Sequence, residues 1–301
     1  MNQPVEETDI TPTIHVAPSP HVSSMAMTTR GMMRDVLIAL LPVVGAAFLF
    51  FGWLAAKQLL ICMAASLAAE ALFTHMRGRT LSLTDLSAAV TGLILGLSLP
   101  ATAPWYVGVI GAVVAIGIGK MVFGGLGMNI FNPAMVGRAF VMIAFAGSMA
   151  ASGYILPGER VDVISQATPL TAFKQSGATV PLAALFLGNV NGSLGETSAL
   201  ACLLGGIYLC VRRAASWETP AGILLSALAI AGAVNLSNLG AAWTVLHQLA
   251  GGSLFFGAFY IATDPVTSPL TARGRWIYGI GIGLVVMLLR YFSGYPEGVM
   301  F

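Results

Sequence analysis

Nine apolar stretches run through this chain, near 35–53, 57–74, 83–100, 104–123, 133–151, 197–211, 219–236, 245–262 and 276–292. Crossing the hydrocarbon of a bilayer takes about 20 apolar residues in a helix, so each stretch is a candidate span. The rest of the composition agrees: 9% of residues are charged and the mean hydropathy is +0.85, against roughly 25% charged in soluble domains. The expected fold is an all-α polytopic membrane protein. The closing residues Gly298 to Phe301 read as the first turn of another apolar segment, and a tenth helix is expected there.

Several chemistries are excluded early. The net charge of +2 comes from scattered Lys and Arg rather than a basic run, so no nucleic-acid surface is expected. Cys62, Cys202 and Cys210 each lie inside an apolar stretch, and none forms a Cys-x-x-Cys pair. They read as small buried hydrophobes, with no metal site or iron–sulfur cluster. His15, His21 and His75 fall outside the spans, which leaves His247 alone near membrane depth and argues against a haem held by two histidines. Residues 1–33 are polar and contain proline, without the order of a signal peptide, and read as a cytoplasmic tail.

Orientation follows from Lys and Arg in the loops. With the N-terminus inside, Arg30, Arg34, Arg77, Arg79, Lys120, Arg138, Arg212, Arg213, Arg273 and Arg275 fall on the cytoplasmic side, ten residues against four outside, Lys57, Arg160, Lys174 and Arg290. The longest internal loop, 152–196, is then expected on the outer face. Among acidic residues Glu70 and Asp85 stand nearest span ends and Glu196 opens the sixth helix. Helix capping accounts for Asp85 and Glu196.

Two segments interrupt the apolar pattern in a matched way. One runs from Gly124-Gly125-Leu126-Gly127 through Asn132-Pro133 to Arg138, the other from Ala262 through Asp264-Pro265 to Arg273 and Arg275. Proline lacks a backbone donor and suits a first helical turn, so both read as interrupted helix starts. Matched interruptions point to an internal repeat with a site at the repeat interface. The halves are expected at 34–151 and 197–301, joined by the outer loop 152–196.

Within that loop stands Asp162-Val163-Ile164-Ser165-Gln166-Ala167-Thr168-Pro169. It resembles the flavinylation motif Asp-x-x-Ser-x-Ala-Thr of the RnfD/NqrB family, membrane subunits of ion-translocating oxidoreductase complexes. The resemblance extends through Ser19-Pro20-His21, the block from Phe131-Asn132-Pro133 to Arg138-Ala139-Phe140, Gly195 to Ala199 and Ala262 to Pro269. The length and short N-terminal tail are closer to the RnfD branch, and Gln166 departs from the Gly of the NqrB motif. A nearby Ser176-Gly177-Ala178-Thr179 repeats the end of the motif, but Phe173 stands six residues before Thr179 where Asp162 stands six before Thr168.

The resemblance implies FMN joined through its phosphate to Thr168 by a dedicated flavin transferase, with Asp162 and Ser165 as recognition residues. It implies two inverted repeats in a fold likened to urea channels, and a second, non-covalent flavin such as riboflavin. Asn132, Arg138, Asp264 and Arg273 are candidates to contact that second flavin, because polar groups at membrane depth are costly and usually functional. The same two arginines could instead snorkel to the interface and pair with Asp264. Implied partners are the other membrane and peripheral subunits of an Rnf-type complex, including a second subunit with covalent FMN and iron–sulfur subunits. The implied location is a bacterial inner membrane, with the flavin loop periplasmic. The expected function is electron transfer coupled to Na+ or H+ translocation, by a subunit not catalytically complete alone. A small-solute channel or secondary transporter is the competing expectation, since broken repeated helices suit it equally.

Overall fold

A computed structural model describes residues 28–79, 83–150, 153–154, 164–165, 168–237 and 243–293. Two long helices open it, α1 (Thr29–Phe51) and α2 (Trp53–Met76). The Thr28 hydroxyl caps α1 by accepting from Gly31 N at 3.1 Å, and Gly52 at φ +55° lets the chain reverse between the two. A 3₁₀ turn at Leu83–Asp85 leads to α3 (Ser87–Ser98), then α4 (Trp105–Ile116), which continues into a π-helical turn, Gly117–Met121. Next come α5 (Pro133–Ala144) and α6 (Ala146–Ala150). Beyond them, β1 (Gly153–Tyr154) pairs antiparallel with β2 (Ile164–Ser165), Gly153 opposite Ser165.

The short helices α7 (Pro169–Ser176) and α8 (Leu182–Leu187) precede α9 (Ala199–Val211) and α10 (Glu218–Ser237). The chain closes with α11 (Val245–Ala250), α12 (Leu254–Phe256) running into a second π-helical turn, Gly257–Ile261, and α13 (Ala272–Phe292). The tenth span expected after this point lies outside the described residues.

The fold is an all-α polytopic membrane protein. Four helices, α1, α2, α10 and α13, are each long and apolar enough to cross a bilayer. Large apolar side chains such as Leu49, Ile143 and Phe292 are turned outward, while Gln58, Glu70, Lys120 and Arg138 are buried. That inversion suits lipid as the surrounding solvent. All twelve residues of α3 are buried; at 1.5 Å per residue it extends about 18 Å, too short to cross alone.

Glycines set the closest crossings, as in other membrane helix pairs. A Cβ on Gly279 of α13 would stand 2.5 Å from Thr219 O of α10, and one on Gly283 would stand 2.6 Å from Ile223 O. Gly137 of α5 lies against Gly111 of α4 in the same manner.

The structure departs from the expected spans in two places. The stretch expected at 133–151 breaks at Phe145 (φ −130°, ψ 43°), and the one expected at 245–262 is interrupted between Ala250 and Leu254. The polar stretch 191–198 is buried throughout. It meets the end of α3: Leu194 N donates to Leu99 O at 3.1 Å and Gly195 N to Leu97 O at 2.7 Å. Carbonyls at the last turn of a helix have no partner within it, and this strand-like pairing supplies one. Irregular backbone is tolerated at such depth when it packs on protein in this way.

Candidate functional site

Thr168 is the N-cap of α7, and Pro169 occupies the first helical position. The cap fits the local sequence, because threonine accepts from first-turn amides and proline has none to offer there. Its Oγ1 accepts from Thr171 N at 3.4 Å and lies 3.0 Å from Thr171 Oγ1. The side chain is half-buried, whereas Thr179 is exposed on the irregular segment between α7 and α8. Of the two recognition candidates, Asp162 lies outside the described residues, and Ser165 is placed by its backbone in β2.

Residues of both matched interruptions meet around a cavity of about 60 Å³, lined by Ser87, Lys120, Asn129, Asn132, Tyr260 and Asp264 among others. Both matched interruptions reach it, each preceded by a π-helical turn of five residues. Such turns are rare and recur at functional sites. Lys120 and Tyr260 hold the same place, fourth in their turns. After the first turn, Gly124, Gly125 and Gly127 adopt φ of +126°, +113° and +89°, a run that other residues enter only under strain. Asn132 Oδ1 then caps α5 by accepting from Ala134 N at 3.0 Å and Met135 N at 3.4 Å.

Charge is concentrated on one wall. Lys120 Nζ donates to Glu70 Oε2 at 2.7 Å, to Glu70 Oε1 at 2.8 Å and to Ser87 Oγ at 2.5 Å, with 2% and 0% of the lysine and glutamate side chains exposed. Ser87 Oγ in turn donates to Asp85 Oδ1 at 2.6 Å. Across the cavity, in the loop that leads from the second π-helical turn to α13, Asp264 accepts from Val266 N at 3.3 Å and from Thr267 Oγ1 at 3.2 Å. Burial pushes its carboxyl up to about 6, against the pull of those two hydrogen bonds. Asn129 is buried and donates through Nδ2 to Phe131 O at 3.1 Å, while its Oδ1 has no donor among the described residues. Tyr260 OH reaches Ala39 O at 2.9 Å and Cys202 O at 3.4 Å. A larger apolar cleft of about 680 Å³, lined by Phe131, Met135, Ala258, Tyr278 and Val285 among others, shares Asn132 with the small cavity.

Asn132 and Asp264 are therefore brought together, while the other two polar candidates are not. Arg138 is buried 3.9 Å from Glu196 Oε1, and Arg273 is exposed on the first turn of α13. The pairing of these arginines with Asp264 weighed from the sequence does not form: Asp264 takes neutral donors from its own loop. Asp85 does cap, accepting from Ser87 N at 2.8 Å. Glu196 does not, since Ser198 is the N-cap of α9 and the glutamate turns to Arg138 instead. Lys120, counted from the sequence among the cytoplasmic charges, is instead buried inside the protein, in the π-helical turn that continues α4, where it pairs with Glu70. Its one sequence signal is a carboxylate, Glu70, in the preceding apolar stretch.

The family model described as NQR2, RnfD, RnfE matches residues 15–301. The chain belongs to that family. In this NQR2, RnfD, RnfE chain, the match spans both interruptions and the segment that carries Thr168. It is 40% identical over 287 residues to the D-subunit of the Na(+)-translocating ferredoxin:NAD(+) oxidoreductase complex of Acetobacterium woodii, covering 94% of this chain and 87% of that protein. It is 38% identical over 301 residues to the D-subunit of the ion-translocating oxidoreductase complex of Stutzerimonas stutzeri, covering 90% and 85%. The corresponding protein of Citrobacter koseri is 36% identical over 325 residues, covering 95% and 92%.

Proposed function

We propose that this chain is the membrane subunit of an ion-translocating oxidoreductase complex of the ferredoxin:NAD+ type, and that it carries FMN as a phosphoester on Thr168. Membership of the NQR2, RnfD, RnfE family over residues 15–301 supports the first part. The second rests on the placement of the Thr168 hydroxyl, half-buried at the N-terminus of an eight-residue helix. A phosphate there would meet the positive end of the helix dipole. FMN, once attached, supplies the electron-transfer chemistry. The chain's own part is to tether it, to shield it from lipid and to hold the helices that face it.

The subunit works with other membrane and peripheral subunits, including a second covalent-FMN subunit and iron–sulfur subunits, and is matured by a flavin transferase. It sits in a bacterial inner membrane with its N-terminus cytoplasmic and the Thr168 segment periplasmic. A second flavin, riboflavin or similar, uses the polar ground at Asn132 and Asp264. Coupling moves Na+ or H+, with Asp264 on the cavity wall as the carboxyl available to it.

The decisive measurement is mass spectrometry of the tryptic peptide spanning Thr168, from protein made together with the flavin transferase. An added mass equal to esterified FMN is expected, with ultraviolet-excited fluorescence persisting on a denaturing gel and vanishing in Thr168→Ala. A colourless band and an unmodified peptide would leave the solute-channel reading in its place. Coupling is tested separately by cation uptake into inverted vesicles containing the complex: uptake unchanged in Thr168→Ala would rule it out.

A further inference from the structure

Directly beneath α7 lies a cavity of about 220 Å³, walled by Phe173, Asn235, Trp243, Thr244, Gln248 and Tyr291 among others. Its position follows from a chain of contacts. The Phe173 ring stacks on Trp243 with centroids 4.6 Å apart and planes 20° from parallel, and Trp243 in turn leans on His247 at 5.1 Å. His247 is pinned by Thr244 Oγ1 at 2.7 Å and Val180 O at 3.2 Å. The next residue along α7, Lys174, donates to Arg290 O at 3.0 Å, to Tyr291 O at 3.5 Å and to Ser293 O, closing the C-terminal end of α13. Cations at a helix C-terminus meet its negative end, so α7 is clamped as a roof over the cavity. The N-cap of that roof is Thr168. Phe173 is five residues further on, about 7.5 Å along the helix axis.

Two polar atoms in the wall have no partner among the described residues. Trp243 is 4% exposed and its Nε1 finds no acceptor among the described residues; Gln248 is 9% exposed and its Oε1 finds no donor. A buried polar atom left unmet is costly, and a purely apolar occupant would not offset that. An occupant that is flat, to lie along the aromatic wall, and that offers both an acceptor and an N–H on its edge would satisfy both.

We propose that this cavity seats a planar heteroaromatic ring, the isoalloxazine of the group tethered at Thr168, with Trp243 Nε1 donating to a ring carbonyl and Gln248 Oε1 accepting from a ring N–H. The identity of the ring rests on the reading of Thr168 above; the cavity and its two unmet atoms do not. Trp243 and Gln248 are positioning residues here: they orient the ring and shield it from water.

The test has two arms, both on the full chain. In the first, flavin-loaded protein is compared before and after denaturation. Stacking against Phe173 and Trp243 is expected to quench native flavin fluorescence by about tenfold, and Gln248→Leu or Phe173→Leu to restore several-fold of it with the Thr168 peptide mass unchanged. In the second, lumiflavin, the ring without its phosphate chain, is titrated into Thr168→Ala. Saturable quenching is expected, weakened about tenfold by Gln248→Leu, the worth of one buried hydrogen bond. A modified Thr168 peptide with native fluorescence as bright as denatured, unaltered by either variant, overturns the seat and leaves the tether standing. An unmodified peptide with lumiflavin binding that depends on Gln248 overturns the tether and leaves the seat standing. No saturable lumiflavin binding to Thr168→Ala, or binding equal with and without Gln248→Leu, means the ring does not sit against Gln248, and the seat is wrong.

Discussion

Replacing Lys120 by methionine should destabilise this protein more than most substitutions in its apolar core. The lysine ammonium makes three short contacts, 2.7 and 2.8 Å to the Glu70 carboxylate and 2.5 Å to Ser87 Oγ, with both members of the pair buried. Methionine keeps the length of the side chain and its apolar stem, so the loss is confined to the charge and its hydrogen bonds. Taking away one partner of a buried pair leaves the other charge uncompensated, at about 3–5 kcal/mol. Replacing both by apolar residues removes that penalty, so Lys120→Met with Glu70→Met should recover most of the loss. The difference between the double variant and the sum of the singles should then exceed about 0.5 kcal/mol, the usual scatter for sites that do not interact. Equilibrium unfolding in mixed micelles, followed by near-ultraviolet dichroism, measures all four corners of the cycle. A Lys120→Met protein within about 1 kcal/mol of the parent, or a double variant as unstable as the two losses added, would refute the claim that this pair is the electrostatic centre of the cavity wall.

Other perturbations separate the remaining parts of the structure. Asp264 holds its proton more tightly folded than unfolded, its pKa raised from 3.8 to about 6, so its contribution is lost as pH rises through that window; Asp264→Asn should gain on the parent between about pH 4 and 6, by on the order of 2–3 kcal/mol, and hold the gain above it. A thermal-melt series from about pH 4 to 8 checks this, and a constant difference would be the contrary result. Thr168→Ser keeps an acceptor for Thr171 N and should melt within a few tenths of a kcal/mol of the parent, whereas Thr168→Ala removes the cap of α7 at about 1 kcal/mol. Gly279→Ala places a Cβ against Thr219 O and should cost about 1–3 kcal/mol, read in the same unfolding assay. Tyr260→Phe removes one hydroxyl shared by Ala39 O and Cys202 O, for about 1 kcal/mol, well below the effect at Lys120.

The helices were legible because lipid imposes a simple rule on sequence: every expected span has a helix within it, and α1, α2, α10 and α13 meet the rule most fully. Proline and asparagine at 132–133 marked the start of α5 correctly for the same reason that they suit it, a side-chain acceptor followed by a residue without a donor. What the pattern hid was where apolar runs stop being α-helical. A π-helical turn inserts no special residue, so Gly117–Met121 and Gly257–Ile261 read as ordinary helix. The buried stretch 191–198 was hidden by its polarity, since pairing with the end of α3 is a long-range fact. At the candidate site, Thr168 was visible through a motif, and Asn132 and Asp264 through interruptions. Lys120, Trp243 and Gln248 were not, because their partners lie 50 residues away in the chain for Lys120 and Glu70, or in another helix for Trp243 and Phe173.

The two π-helical turns explain why the cavity has two unlike walls. Each turn places its fourth residue, Lys120 or Tyr260, on the cavity wall, where it bonds to neighbouring helices. In the first half this strut is ionic, from Lys120 to Glu70 of α2 and Ser87 of α3. In the second it is neutral, from Tyr260 to backbone carbonyls of α1 and α9. An ionic strut responds to charge appearing in the cavity, since at low dielectric a nearby charge changes its energy by far more than in water. A tyrosine bridging carbonyls responds little.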